Sequence, residues 1–289
     1  MQRTRARTVV IIGAGALVLA LAVSTVAAMF RGSSSAGATT EERLPDLDQE
    51  VPSELAIRVG VANGHRVYEL GFRSAVINVG AGPLLVSGAR RDRQTPEMVV
   101  NQLIARAGRP TRVVRAVGHM KYVTSPTHKH WHYLEFDRYE LRRADPTSSS
   151  PQSIVSDRKT GFCLGDRYRT TGRFRAEPPA RPVHTGSCGL RRPDLLRMTE
   201  GISVGYGDDY SGFLEGQQLP IEDLPSGRYV LVHRVNSDRR LRELSYDNNA
   251  ASLLLDLHWQ QGAPSLKIIA SCPDTDRCDR TVPASTSRS

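Results

Sequence analysis

The stretch ELAIRVGVANGHRVYELGFRSAVINVGAGPLLVSG, residues 54–88, constrains the fold more than any other part of the chain. Its apolar residues alternate with polar ones in short runs, and turn residues cut the runs at Asn63-Gly64 and again at Gly80, Gly82 and Pro83. Successive side chains of a strand point to opposite faces, so such runs bury one face and wet the other. In YELGFRSAVINVG, Leu70, Phe72 and Val76 share a face with Ser74. Short runs with turn signals at roughly 8–12-residue spacing indicate antiparallel strands. YLEFDRYELRRAD from Tyr133, GRYVLVHRVN from Gly227 and NNAASLLLDLHW from Asn248 read the same way, and PTSSSPQS after Asp145 reads as a turn. One segment differs: TPEMVVNQLIARAG, with Pro96 near its start and Gly108 at its end, predicts a short helix over 95–108. Residues 165–200 are rich in Arg, Gly, Pro and Thr and predict a long loop, a feature that in a compact domain usually signals function or disorder. The expected fold class is all-β: a two-sheet β-sandwich with long loops and at most short helices.

The ends of the chain are of a different kind. MQRTRAR is followed by the uncharged run VVIIGAGALVLALAVSTVAAMF, so residues 1–30 read as a signal peptide or an N-terminal membrane anchor. Val26-Ala27-Ala28 offers small residues for cleavage, while the length of the run suits a single span with its arginines on the cytoplasmic side. Both readings place the remainder outside the cytoplasm, either secreted or attached to the membrane. Residues 31–52, rich in Ser, Gly, Thr and acids, predict a flexible linker. The folded domain is expected over 53–280, with a disordered tail at 281–289.

The net charge of +9 comes from scattered arginines, and aromatic residues are only 6%. A nucleic-acid surface would need clustered bases interleaved with stacking aromatics, so no nucleic-acid partner is expected. Four cysteines fit an oxidising compartment. Nearest-neighbour pairing joins Cys163 with Cys188 and Cys272 with Cys278, and no CxxC motif suggests a redox or zinc-ribbon role.

Three of the eight histidines lie in THKHWHY. His128, His130 and His132 sit at alternate positions, so on a strand their imidazoles project together, with Lys129 and Trp131 on the other face. On a helix the same spacing would scatter them. Three neutral imidazoles suit zinc, copper, nickel or iron, and three protein ligands leave a position open, as at a catalytic metal. Glu135 is near enough in sequence to keep a zinc hydrolase open. The other five histidines are lone and are expected to be structural.

HKHWHYLEFDRYEL also resembles the copper-binding segment of lysyl oxidases. Further matches follow in that family's order: RKTGFCLGD from Arg158, GISVGYGDDY from Gly201, LPIEDLPSGRYVL from Leu219 and ELSYDNNAA from Glu243, with LGFRSAVINVGAGPLLV upstream. The resemblance covers about residues 65–260 and is to a bacterial-type, copper-dependent protein-lysine 6-oxidase-like member. Tyr206 stands where the family motif has a cysteine, and animal members carry more cysteines than this chain. Cys163 and Cys188 match positions that the family pairs.

The resemblance implies a copper quinoprotein amine oxidase. Its cofactors would be copper(II), held by His128, His130 and His132, and a lysine tyrosylquinone formed from Lys159 and Tyr210. Asp208, two residues before Tyr210, is the implied general base or orienting group. A lysine must be neutral to add to an oxidised tyrosine ring, so Lys159 is expected to be buried or beside the metal. The implied reaction takes a primary amine or a protein lysine with dioxygen to an aldehyde, hydrogen peroxide and ammonia. The alternative reading is a non-catalytic, extracytoplasmic copper-binding β-sandwich module.

Overall fold

A computed structural model describes residues 41–126, 128–144, 154–214 and 216–278. The expected N-terminal segment, the first part of the linker, the 146–153 turn and the tail lie outside these residues. The described residues hold sixteen strands: β1 (Glu42–Arg43), β2 (Leu47–Gln49), β3 (Ser53–Ala62), β4 (His65–Asn78), β5 (Leu84–Ala89), β6 (Glu97–Arg106), β7 (Arg109–Thr124), β8 (Lys129–Arg143), β9 (Ile154–Phe162), β10 (Tyr168–Arg169), β11 (Arg197–Ile202), β12 (Tyr206–Tyr210), β13 (Gln218–Pro220), β14 (Gly227–Val235), β15 (Ala250–Gln260) and β16 (Ala263–Cys272). No helix occurs among the described residues, and none there is long and apolar enough to cross a membrane.

All strand pairs are antiparallel. The larger sheet runs β11-β5-β6-β7-β8-β14-β15-β16, with β1 on β6 and β9 on β8; the smaller runs β10-β12-β4-β13, with β2 and β3 also on β4. The expected face of β4 is confirmed: Leu70, Phe72, Ser74 and Val76 are all fully buried. The core is shared between the sheets. Val76, Tyr206 and Tyr210 of the smaller pack with Met98, Met120, Trp131 and Phe136 of the larger, which makes the molecule a β-sandwich. At its centre Ser74, Asp137 and His233 form a fully buried polar triangle. His233 Nε2 lies 2.9 Å from both Ser74 Oγ and Asp137 Oδ2. Both partners address one ring nitrogen, so this is a structural bridge between sheets and not a nucleophile–base–acid relay.

Two expectations are corrected. Residues 95–108 form β6, not a helix. Met98, Val100, Gln102 and Ile104 are fully buried with period two, whereas Val99 is 47% exposed. Apolar residues on both faces of the strand hid that alternation. The linker expected over 31–52 does not extend through 41–52. There β1 pairs with β6 and β2 with β4. Leu47 is fully buried, and its amide donates to Glu243 Oε2 at 2.7 Å. The polar composition of this segment is used in hydrogen bonds, such as Gln49 Nε2 to the Ala75 carbonyl at 2.6 Å. Composition cannot reveal partners that lie so far along the chain.

Both disulfides, Cys163–Cys188 and Cys272–Cys278, are formed as expected. Residues 170–196 carry no strand, but the segment is pinned. The buried Asp166 carboxylate accepts from the amides of Val183, His184 and Ser203 and from Ser203 Oγ, at 2.7–3.1 Å.

Candidate metal centre

The start of β8 is fixed from both edges. On one side it pairs with β7, His132 opposite Lys121 and His130 opposite Val123. On the other, β9 ends at Phe162, and the loop tied to it by the Cys163–Cys188 disulfide continues the edge. There the Trp131 amide donates to the Cys188 carbonyl at 2.9 Å, and the Arg191 amide to the Lys129 carbonyl at 2.7 Å. Trp131 is fully buried on the core side, with Arg90 stacked 4.7 Å from its ring centre. His128 precedes the strand and is set by Ser125, whose hydroxyl accepts the His128 amide at 3.0 Å.

This framework brings the three histidines together. One ring nitrogen from each lies within 4.8 Å of the others, and Nε2 of His130 is 2.8 Å from Nε2 of His132. His128 and His132 are buried, and His130 is half-buried. Burial first, then neighbouring positive charge, pushes His130 down to about 4 and His132 down to about 3. Neutral imidazoles are the form that binds metal, so the cluster fits a single redox-capable or Lewis-acid ion with a position open.

Tyr210 reaches this cluster from the other sheet. Its ring is parallel to that of His128 at 6.0 Å between centres, and Phe162 covers it at 4.2 Å. Its hydroxyl lies 3.4 Å from His132 Nε2 and accepts the Cys163 amide at 2.9 Å. Burial, then the charge of Asp208, holds the phenol above the ordinary tyrosine value.

Asp208 shares the Tyr210 face of β12 and is fully buried. Its Oδ2 accepts the Gly165 amide at 3.1 Å, and burial pushes the carboxyl well up. Sequence reasoning missed Glu200, whose carboxyl is also buried, accepts the Leu164 amide at 3.1 Å and is pushed well up by burial. The amides of Cys163, Leu164 and Gly165 are thus taken by Tyr210, Glu200 and Asp208 in turn. A lone acid in a strand carries no sequence signal that separates a buried role from a solvated one.

Lys159 is not brought to Tyr210. It lies on the exposed side of β9, one third exposed, with Nζ 2.9 and 3.2 Å from the two carboxylate oxygens of Asp238. The expected burial of Lys159 is therefore corrected: alternation in β9 turns Ser156, Thr160 and Phe162 inward and leaves Lys159 out. It does face the histidine side. A Cβ on Gly161 would lie 3.2 Å from His132 Cβ, and Lys159 shares the Gly161 face by strand periodicity. Asp238 also pairs with Arg240 at 2.9 Å, and Arg240 with Glu135 at 2.8 Å. Glu135, the acid a zinc hydrolase would need, is thus engaged by a guanidinium. With Arg240, Glu97 and His119 it lines a cavity of about 490 Å³. Glu97 opposes Lys121, which opposes His132, so the cavity opens on the histidine face of the sheet.

The model of the lysyl oxidase family matches residues 98–264. The chain is 29% identical over 123 residues to protein-lysine 6-oxidase of Gallus gallus, covering 42% of this chain and 24% of that protein. The Sus scrofa protein-lysine 6-oxidase shows the same identity with 41% of its length covered, and lysyl oxidase homolog 1 of Homo sapiens 27% identity with 18% covered. The chain spans less than half the length of each of these relatives. The family match takes in more than half of the chain, every histidine of the cluster, Lys159, Asp208 and Tyr210: the protein belongs to the lysyl oxidase family.

Proposed function

We propose that the protein is a copper-dependent amine oxidase that converts primary amines, protein lysines among them, to aldehydes with consumption of dioxygen and release of hydrogen peroxide and ammonia. The observation that carries this reading is the phenol of Tyr210, 3.4 Å from His132 Nε2 and parallel to the His128 ring. A site that only binds metal has no use for an oxidisable phenol at that place. It favours copper over zinc, because zinc has no redox chemistry.

His128, His130 and His132 would hold the ion. Copper would supply the redox chemistry, and a quinone made from Tyr210 and Lys159 the electron sink for amine oxidation. The Cys163 amide stabilises negative charge on the phenol oxygen. Phe162 and the disulfide-tied loop keep water from the ring. The geometry supports Asp208 as an orienting group: its hydrogen bond to Gly165 fixes the segment that carries the Cys163 amide. The cavity beside Glu97 and Glu135 gives a primary amine an approach on the histidine face. The charged and apolar N-terminal run and the two disulfides support a site of action outside the cytoplasm, secreted or membrane-attached.

Copper-loaded protein exposed to air is expected to gain a visible quinone band that phenylhydrazine discharges, and to release peroxide from a primary amine. Lys159→Ala should abolish the band and the turnover while copper stays bound. The exposed Lys159–Asp238 pair favours a second reading, a non-catalytic copper-binding module; a colourless copper protein without turnover would establish it in place of the oxidase.

A further inference from the structure

We propose that Asp238 is a positioning residue that latches Lys159: its ion pair holds the side chain away from Tyr210 and must open before the amine can join that ring. The inference rests on the reading of Lys159 and Tyr210 given above.

Both carboxylate oxygens of Asp238 contact Lys159 Nζ, at 2.9 and 3.2 Å. The other acid near this lysine is already engaged. Asp157, on the same face of β9, forms two hydrogen bonds with Arg138, the residue directly opposite Lys159 in β8. Arg240 shares Asp238 Oδ2 with Lys159, at 2.9 Å, and is itself held by Glu135. Arg138 also pairs with Glu140 at 3.0 Å, and of the acids in this network, Asp238, Asp157, Glu135 and Glu140, Asp238 is the one that pairs with Lys159. Lys121, Lys129 and Lys267 are the other lysines of the chain, and all three are exposed. Among the described residues, Lys159 alone of the four forms an ion pair.

The latch is built by the fold. Asp238 sits in a turn after β14 in which the Arg239 amide donates to the Asn236 carbonyl at 2.8 Å, and the Asn236 amide to Phe136 of β8 at 2.9 Å. Asn236 and Arg239 both adopt left-handed backbone, with φ of 46° and 52°. Asn236 Nδ2 donates to the Leu241 carbonyl and to Glu243 Oε1, at 2.9 and 2.6 Å. The turn is fastened to β8 and holds the carboxylate beside the end of β9.

The amine can give its lone pair to the ring only once it has left the Asp238 carboxylate. Cross-linking forms one C–N bond between the neutral amine and a ring carbon of oxidised Tyr210, with loss of a proton. The oxidation of the phenol takes one oxygen atom from dioxygen and releases the other as water. The electron pair left on the ring by the addition passes, with two protons, to a second dioxygen as hydrogen peroxide.

The test has two arms. In the copper-free full chain, acylation of each lysine by a water-soluble N-hydroxysuccinimide ester is followed by peptide mass spectrometry. Lys159 should react slowest of the four. Asp238→Asn should raise its rate about threefold, the size expected for a partly exposed ion pair, with Lys121, Lys129 and Lys267 unchanged as controls of folding, and Asp238→Glu should restore the slow rate. No change at Lys159 overturns the latch. In the second arm copper and air are added and the cross-link is timed by intact mass. Asp238→Asn should form it about threefold faster; unchanged or slower formation overturns the latch. If the wild-type chain forms no cross-link, the oxidase reading fails, and the acylation arm still decides whether Asp238 holds Lys159.

Discussion

Tyr210 and His132, 78 residues apart in the chain and on strands of different sheets, meet with 3.4 Å between the phenol oxygen and Nε2. Tyr210→Phe removes the oxygen but leaves the ring on Phe162 and His128. Copper binding should persist and the quinone band should be absent. The Cys163 amide loses its acceptor, a cost of about 1–3 kcal/mol for a buried group. Calorimetric metal titration with denaturant unfolding checks both; loss of copper binding would mean that the phenol is itself a required ligand.

Removal of one ring from the cluster has a larger effect on the metal. His132→Ala should weaken copper binding by more than about 100-fold, beyond the 10–100-fold typical of groups that only support a ligand. The variant should keep both disulfides and a β-type circular dichroism spectrum. Unchanged affinity would show that the ion sits elsewhere.

The pH dependence of the metal-free protein follows from the depressed histidines. His130 and His132 are pushed to about 4 and about 3 in the folded state. Below about pH 6.5 the unfolded chain therefore takes up protons that the folded chain refuses. Stability should fall as pH drops from about 6.5 toward 4. His132→Asn should flatten that fall in urea titrations at pH 7 and pH 5; an equal fall in the variant would contradict the assignment.

Glu243 acts in the opposite sense. Burial raises it to about 7 although Asn249, Asn236 and the Leu47 amide all donate to it. Its contribution is present at low pH and lost as pH rises through about 7. Glu243→Gln puts an amide N–H against donors and should destabilise the fold by about 1–3 kcal/mol. Hydrogen exchange at Leu47 should quicken with it; a protected Leu47 amide would show that β2 is held without Glu243.

The two disulfides should separate cleanly. Cys163 and Cys188 are 25 residues apart, and loop-closure entropy gives their bond about 3–4 kcal/mol. Replacing both by serine should also weaken copper binding, because the loop it ties completes the edge of β8. Replacing Cys272 and Cys278, which pack in a separate small cluster, should leave copper affinity unchanged.

Much of this was legible in the sequence. Alternation placed Leu70, Phe72 and Val76 inward, and the alternate histidines predicted a shared face because strand period is a local property. The resemblance supplied Tyr210, which no local pattern could join to residues in another sheet. β6 was misread because Val99 and Leu103 make its outer face apolar and blur the period. Glu200 and Asp238 were invisible: whether an acid is buried or paired depends on strands that meet only in three dimensions. The exposure of Lys159 has the same origin, since its place in the alternation of β9 decides it and the motif around it does not.

The hydrogen bonds from Leu47 to Glu243 and from Asn248 to Asp46 join positions 196 and 202 residues apart. β2 pairs with the nearby β4, but its contacts with Glu243 and Asn248 wait for the chain beyond β14, and contacts of such long sequence separation form slowly. A nascent domain without the segment after β14 therefore lacks the partners that close this end.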